Sequence, residues 1–509
     1  MAAPERFTAN NADIAEMCAR IERFLAQEGF EPREAERLRL TAETLLRRVS
    51  ERLGWGTRCT LSLERHPGFV RIRLRYAGGA FDPTLVGRES EGDAWSARLL
   101  AGLGLVPEWS WQRGMNTLSL RARRRENRAL LLPLAALALG ALLRFCCSAA
   151  GAAWPEAAER MVFLPLLHTF GNAVGAFLAL KLFFSTACTI CGTVETAASS
   201  RAGRLTTSRF LAVSLLLPLS GIFVLSRIFG IPGAGMGHAA QLWALVPADP
   251  FSPFVTRNIG QIAFLSVVAG AALLSLGGRA DRLRAWTEQC DVLFSAIAET
   301  LCRLTPLTFI AASACMPLHT LAQIWKPLVA FAALTLAAAL VWLLVACLRL
   351  RTTPKVLCKR LLPPLAAAFC AGSGDAAFGK LMDNCENELG IAHPLVLAGL
   401  PIGGVLCVPV PALAFAASAL FLAGVPSGDF LSLAGAALAG VLLASALPSA
   451  PGALFLALTF ALPELSGADA ARAAVFDLCF TAWGAAVSAA FLQTELLLQG
   501  KRLDQLAQK

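Results

Sequence analysis

The run Gly399-Leu400-Pro401-Ile402-Gly403-Gly404-Val405-Leu406-Cys407-Val408-Pro409-Val410-Pro411 interrupts an apolar span that lies among other apolar spans. Interrupted helices at membrane mid-depth expose backbone groups and commonly build binding sites. The break itself, Cys407, Val408, Pro409, Val410 and Pro411, carries no carboxylate and no side-chain amide. Acids stand elsewhere, at Asp375 and Asp477. A carboxylate within a membrane span is costly and serves a pathway or a partner. Asp477 therefore reads as an amine ligand or a proton carrier, with an interfacial acid near the start of its span as the alternative. Asp375 is the second such candidate. A raised pKa lets a carboxyl enter apolar surroundings in its neutral form.

The elements that must position these residues follow from the apolar pattern. Spans are expected near 129–147, 161–191, 208–229, 258–277, 293–314 and 325–348. After Arg360 the pattern changes. Residues 361–389 read as two short arms meeting at Gly372-Ser373-Gly374, a re-entrant hairpin with Asp375 beside its tip. Residues 394–422 form the broken span. Residues 430–463 give two arms around Ser445-Ala-Leu-Pro-Ser-Ala-Pro-Gly452, a second hairpin that carries Pro448 and Ser449 at its tip. The last span covers 472–495 and holds Asp477 and Thr481. Hairpin, broken span, hairpin and final span make half of an inverted-repeat carrier, with its site where the hairpin tips meet. The competing reading is a membrane scaffold with kinked helices.

Composition agrees with this division. Of 509 residues, 56% are apolar and 16% charged, and mean hydropathy is +0.60. Soluble proteins are nearer a quarter charged. The excess is uneven: residues 1–128 read as an ordinary soluble domain, and long apolar spans begin at Ala129. The first 40 residues are polar and show no secretory signal, so the head and the tail at 499–509 are expected on the cytoplasmic side. The net charge of +10 is not a nucleic-acid signal. Its arginines and lysines cluster at 121–128, at 201, 204 and 209, at 279–284, at 349–360 and at 501–502, as the positive-inside rule asks of cytoplasmic loops. The 15 cysteines are scattered, mostly within apolar spans, and read as small buried hydrophobes. Cys188 and Cys191 form a CxxC without a second pair or nearby histidines, so no metal site is expected.

The head reads as helices at 10–30 and 34–52, strands at 59–64 and 69–75, a glycine turn at Gly78-Gly79, a helix at 93–102 and a last strand at 116–121. These make an α+β sandwich of about 120 residues. Over residues 5–122 this order resembles the ATPase domain of histidine kinases and anti-sigma-factor serine kinases. Arg37-Leu-Arg-Leu-Thr-Ala-Glu-Thr-Leu-Leu-Arg-Arg48, Tyr76-Ala-Gly-Gly-Ala-Phe-Asp-Pro83 and Arg113-Gly-Met-Asn-Thr-Leu-Ser-Leu120 carry the likeness. The resemblance implies a Glu and an Asn one helical turn apart, holding the general base and Mg²⁺. The matching positions here are Thr44 and Arg48, with Glu43 off register. Tyr76 or Ala77 stands where an adenine-reading Asp belongs, and the nucleotide lid has shrunk to Gly102-Leu103-Gly104. Without the Asn, Mg²⁺ has no protein ligand and phosphoryl transfer loses its charge neutralisation. The resemblance thus implies a degenerate nucleotide site at Glu43, Thr44 and Arg48, no enzyme, and a docking or regulatory module.

From about residue 129 to 498 the chain resembles the dicarboxylate/amino acid:cation symporter family, the glutamate-transporter homologues. Val246-Pro-Ala-Asp-Pro-Phe251 with the span from Asn258, then Leu304-Thr-Pro-Leu-Thr-Phe309, Glu388-Leu-Gly-Ile391 and Leu400-Pro-Ile-Gly403 match family segments in the right order. The resemblance implies about eight spans plus two re-entrant hairpins, an elevator-type transporter fold and a homotrimer. It assigns scaffold spans to roughly 129–277 and the transport core to roughly 293–498, after a head at 1–125. The family's serine-rich first tip is here Gly372-Ser373-Gly374-Asp375. Its sodium-ligating Asn-Met-Asp-Gly-Thr falls on Cys407-Val408-Pro409-Val410-Pro411. In the last span its Asp, Arg, Thr, Asn and Asp fall on Asp477, Phe480, Thr481, Gly484 and Ser488. Phe480 cannot pair with an acidic side chain, which would be left unpaired in a dry site.

The expectation is a secondary active transporter, symporter-like, for a small organic solute that is not an acidic dicarboxylate. Ser373, Asp375, Pro448, Ser449, Asp477 and Thr481 would contact the solute. Asp375 and Asp477 are the ion-coupling candidates, with coupling to protons or absent. The alternative is a transporter-like sensor or scaffold that no longer transports. No cofactor is implied. The expected partners are the solute, the bilayer of a bacterial inner membrane, two further copies of the chain and a cytoplasmic partner for the head.

Overall fold

In the computed structural model the chain divides into two compact units, Met1–Asn127 and Arg128–Lys509. The structure describes residues 5–8, 11–28, 30, scattered positions between 35 and 54, 58–66, 69–81, 105–112 and 114–123 in the first unit. In the second it describes 130–150, 157–199, 201–229, 246–316, 321–374, 377–423, 430–463 and 465–507.

The first unit is an antiparallel five-stranded sheet faced by helices. Helix Asn11–Gln27 presents Ile14, Met17, Cys18, Ile21 and Leu25 to the core. Leu38, Ala42, Leu45, Leu46 and Val49 join them from the segment that follows. The strands are β1 (Glu5–Thr8), β2 (Arg58–His66), β3 (Phe69–Ala77), β4 (Leu105–Gln112) and β5 (Met115–Arg123), in the spatial order β1-β2-β3-β5-β4. Alternation along β3 sends Val70, Ile72, Leu74 and Tyr76 inward. Burial pushes the Cys59 thiol up to about 11, so this cysteine is an inert core residue. The pattern of alternation found β2, β3 and β5 and missed the two edge strands. β1 is only four residues long, and β4 contains Pro107, which the edge of a sheet tolerates. The helix expected at 93–102 and the Gly102-Leu103-Gly104 lid lie outside the described residues.

The second unit is a polytopic α-helical membrane fold. Among the described residues, eight helices are long and apolar enough to cross a bilayer: Leu131–Ala149, Glu159–Gly192, Gly203–Phe229, Ile259–Leu276, Asp281–Ala314, Ile324–Leu350, Ile402–Leu422 and Gly467–Lys501. Between them lie the two hairpins. The first runs up Pro354–Ala371, turns at Gly372 in the left-handed region (φ 60°) and returns through Phe378–Asp383. The second runs up Phe430–Ala446 and returns through Ala453–Ala461. The broken span is His393–Leu406 followed by Pro409–Ala423.

Helices far apart in the chain pack together. Asp281–Ala314 packs on Leu131–Ala150 and Leu164–Ser199. Gly140 lies so close to Ile310 and Ser313 that a β-carbon there would collide with them. Arg201–Phe229 packs on both arms of the broken span, on Phe430–Ala446 and on Leu164–Ser199. Leu321–Leu350 and Pro354–Ala371 pack on the final helix, Gly467–Ala507. Small residues decide these approaches. Gly399 and Gly403 on the broken span admit Leu496 and Leu492 of the final helix, and Gly403 also lies against Phe210 of Arg201–Phe229.

Arg209 lies in helix Arg201–Phe229, within the span expected at 208–229, and is ion-paired with Glu495, whose side chain is fully buried. Its Nη2 donates to Glu495 Oε2 at 3.1 Å. The cysteines are mixed. Seven of the free thiols, including Cys302, Cys315 and Cys407, are buried, and Cys146, Cys358, Cys370 and Cys479 are exposed.

Candidate functional site

The tips of the two hairpins touch. The Gly374 N–H donates to Ser449 Oγ at 3.0 Å, and a β-carbon on Gly372 would meet Pro451. Glycine is required at 372 by its positive φ and by this crowding. Ser373 is buried beside the contact, Pro448 is half-buried and Ser449 is exposed. Asp375 lies outside the described residues.

Asp477 is fully buried on the final helix and faces the second hairpin. Its Oδ2 accepts the Gly452 N–H at 2.7 Å, and its Oδ1 accepts the Phe455 N–H at 3.0 Å. Helix Ala453–Ala461 begins here, and its first N–H groups have no partner within the helix. Its own preceding residue, Gly452, has no side chain with which to cap it. The carboxylate of Asp477 supplies that cap from another element, with the favourable sign for the positive end of a helix dipole. Gly452 (φ 95°) lies against Thr305, so the tip is held by the final helix and by Asp281–Ala314 together. Thr481 Oγ1 sits 3.5 Å from Asp477 Oδ1.

One turn along, Phe480 is stacked between Phe331 (ring centroids 4.0 Å apart) and Phe476 (5.3 Å). All three rings are buried, so the position is filled by aromatic packing. Gly484 leaves room against Val410 of the broken span. Ser488 carries a buried hydroxyl with no hydrogen-bond partner among the described residues.

The break is closed by a residue that sequence reasoning passed over. Ser214, fully buried on Arg201–Phe229, donates to the Leu406 carbonyl at 2.6 Å and accepts the Val408 N–H at 2.9 Å. Other polar groups missed from the sequence include Lys181, whose Nζ lies 2.6 Å from Asp291 Oδ1 and 2.7 Å from Ser295 Oγ. Asn384 of the first hairpin donates to Gln493 of the final helix at 2.7 Å. Trp483 donates to Thr335 at 2.8 Å. Lys181 and Glu495 were detectable as charges within apolar stretches, the signal that singled out Asp477. Ser214 had no such signal.

In the first unit Glu43 forms an ion pair with Arg39 at 3.5 Å. Thr44 and Arg48 lie outside the described residues. The loop after β3 is tied down by two buried residues. Tyr76 Oη donates to the Phe81 carbonyl (2.8 Å), while Asn116 receives the Phe81 N–H (3.0 Å) and donates to the Gly79 carbonyl (2.8 Å).

Two hairpins with touching tips, a broken span between them and a buried acid facing the second tip form one constellation. The model of the sodium:dicarboxylate symporter family matches residues 131–475. The chain belongs to the sodium:dicarboxylate symporter family. No curated protein matches it. For this symporter-family member, membership brings secondary transport as the general function and a lipid-embedded fold that handles a small solute. The match ends before Asp477, so the final-helix residues from Asp477 to Ser488 lie beyond the matched segment. The break at 407–411 lies within it.

Proposed function

We propose that the protein is a secondary transporter for a small organic solute that is not an acidic dicarboxylate, and that it works without sodium. The observation that carries this reading is the position of Asp477. A helix N-terminus at a hairpin tip is a ready anion site, and here the chain's own carboxylate fills it through Gly452 and Phe455. A solute's carboxylate would have to displace Asp477. The Phe331–Phe480–Phe476 stack offers a second acidic group no partner. A neutral or cationic solute, or an amino acid without an acidic side chain, meets neither obstacle. An amine could share Asp477.

Coupling is to protons or absent, with Asp375 and Asp477 as the residues that would carry the proton. Sodium is disfavoured because Cys407 to Pro411 supply no carboxylate or amide oxygen. The solute-contacting set is Ser373, Asp375, Pro448, Ser449, Asp477 and Thr481. We further assign the helices of roughly 293–498 to a moving core and those of roughly 129–277 to the scaffold. The scaffold is fixed, in a homotrimer in a bacterial inner membrane with head and tail cytoplasmic. The head is a degenerate ATPase-like module that docks a regulatory partner.

Uptake into proteoliposomes across a solute panel, with and without Na⁺ and a pH gradient, tests the reading. Uptake of a neutral or cationic solute, indifferent to Na⁺, is expected. Sodium-driven succinate or aspartate uptake would overturn it. A pH gradient that never alters uptake, or D477N and D375N variants that keep its pH dependence, would remove proton coupling. A transporter-like sensor that no longer transports is the second reading. It is favoured by the number of internal ties at the site, and a complete absence of uptake across the panel would select it.

A further inference from the structure

A break in a spanning helix frees the last carbonyls of one arm and the first N–H groups of the next. In carriers, such freed backbone groups coordinate the coupling ion. At the break between Leu406 and Pro409 the Leu406 carbonyl and the Val408 N–H are satisfied from within the chain. The Gly403 carbonyl accepts the Cys407 N–H at 2.8 Å. The Ser214 hydroxyl donates to the Leu406 carbonyl at 2.6 Å, and its Oγ accepts the Val408 N–H at 2.9 Å. Two of the first three residues of the second arm are prolines, Pro409 and Pro411, which have no N–H to leave unpaired. The Val408 carbonyl already accepts the Ala412 N–H at 3.1 Å, starting that helix. Ser214 is fully buried, and Cys407, Val408 and Val410 are buried around it.

We infer that Ser214 is a resident ligand of the broken span: its hydroxyl occupies the space between the Leu406 carbonyl and the Val408 N–H, so these two freed groups are closed by the chain itself without an ion or a water. One hydroxyl serves an acceptor and a donor at once, which a cation cannot do. A cation has no way to accept the Val408 N–H. The proton of Ser214 points at the Leu406 carbonyl and opposes a positive charge there. No carboxylate or amide oxygen is bonded to either group among the described residues. The inference deepens the sodium-free part of the proposed function and rests on it. It does not depend on which solute is carried.

The test uses the purified full chain in lipid nanodiscs. Thermal unfolding is followed in NaCl, KCl and choline chloride at equal ionic strength, for the wild type, Ser214→Ala and Ser214→Thr. Hydrogen–deuterium exchange is measured on peptides covering 404–414, where Pro409 and Pro411 contribute no amide signal. The wild type should melt at one temperature in all three salts and protect the Val408 amide. Ser214→Ala should melt about 2–4 °C lower and exchange faster at Val408, and Ser214→Thr, which keeps the hydroxyl, should restore protection. Sodium-specific stabilisation of the wild type would overturn both the resident-ligand inference and the sodium-free reading. Unchanged Val408 protection in Ser214→Ala, with no sodium response, would overturn the resident ligand alone. Where Ser214→Ala does not express, the wild-type salt series and the Ser214→Thr exchange still decide.

Discussion

The second hairpin tip and the broken span face the same physical problem and answer it in opposite ways. Each interrupts helical backbone at buried positions, Gly452 at the tip and Cys407 and Val408 at the break, and each must satisfy the groups it frees there. At the hairpin tip the answer is a charge, the carboxylate of Asp477 on the N–H groups of Gly452 and Phe455. At the broken span it is a neutral hydroxyl, Ser214, together with two prolines. A carboxylate held by backbone N–H groups can be drawn away by a cationic group or neutralised by a proton. A hydroxyl wedged between a carbonyl and an amide has no comparable competitor. On the proposed function, the hairpin tip is therefore the end expected to open in response to a solute, and the broken span the end expected to stay shut.

Replacing Asp477 should break this comparison most severely. Asp477→Ala leaves two N–H groups unpaired in a dry setting and should cost about 2–4 kcal/mol, read as a lowered unfolding midpoint. Residues 447–452 should exchange faster and 404–414 should not change. Asp477→Asn keeps one acceptor and should fall between. Equal loosening of both regions would show that the two closures are one cooperative unit.

Ser214→Ala is the reciprocal experiment. It should cost about 1–3 kcal/mol and loosen 404–414 while leaving the hairpin tip protected. Its effect should be additive with that of Asp477→Ala if the closures are independent.

Ser449→Ala removes the bond between the hairpin tips that runs from the Gly374 N–H to Ser449 Oγ at 3.0 Å. Because Ser449 is exposed, water replaces the lost acceptor, and the cost should stay below about 1 kcal/mol. Its use is in sharpening: a change in uptake rate with little change in midpoint would identify the tip-to-tip bond as part of the opening. No change in either would limit it to a resting contact. The head should show no effect from any of these substitutions. Titration with ATP and Mg²⁺ should give no tight binding to it, and tight Mg²⁺-dependent binding would reverse the reading of Glu43, Thr44 and Arg48.

Much of the fold was readable because the signals are local. Apolar runs of spanning length mark the helices, and glycine and proline mark where each is interrupted, at 372–374, 407–411 and 448–452. Asp477 was readable as a functional position because an acid in such a run is rare. Its task was not, since its partners are backbone groups of Gly452 and Phe455, 25 and 22 residues earlier in the chain. A backbone N–H has no residue type to read. Ser214 was harder still: serine in an apolar helix is common and usually bonds its own helix, as Ser220 does to Leu216 and Ser226 to Phe223. The pairing of Arg209 was hidden for a related reason: its partner Glu495 lies 286 residues away.

The sequence by itself determined the division into a polar head and a membrane unit, the order of spans and hairpins, and the absence of carboxylate and amide at the break. These follow from side-chain chemistry and periodicity, which act over a few residues. Only the tertiary structure decided that the hairpin tips meet, that Asp477 caps one of them, that phenylalanine rings fill the position beside it, and that Ser214 closes the break. Those outcomes depend on which helices pack together, and packing is fixed by close approaches such as Gly403 to Leu492 and Phe210, between residues far apart in the chain.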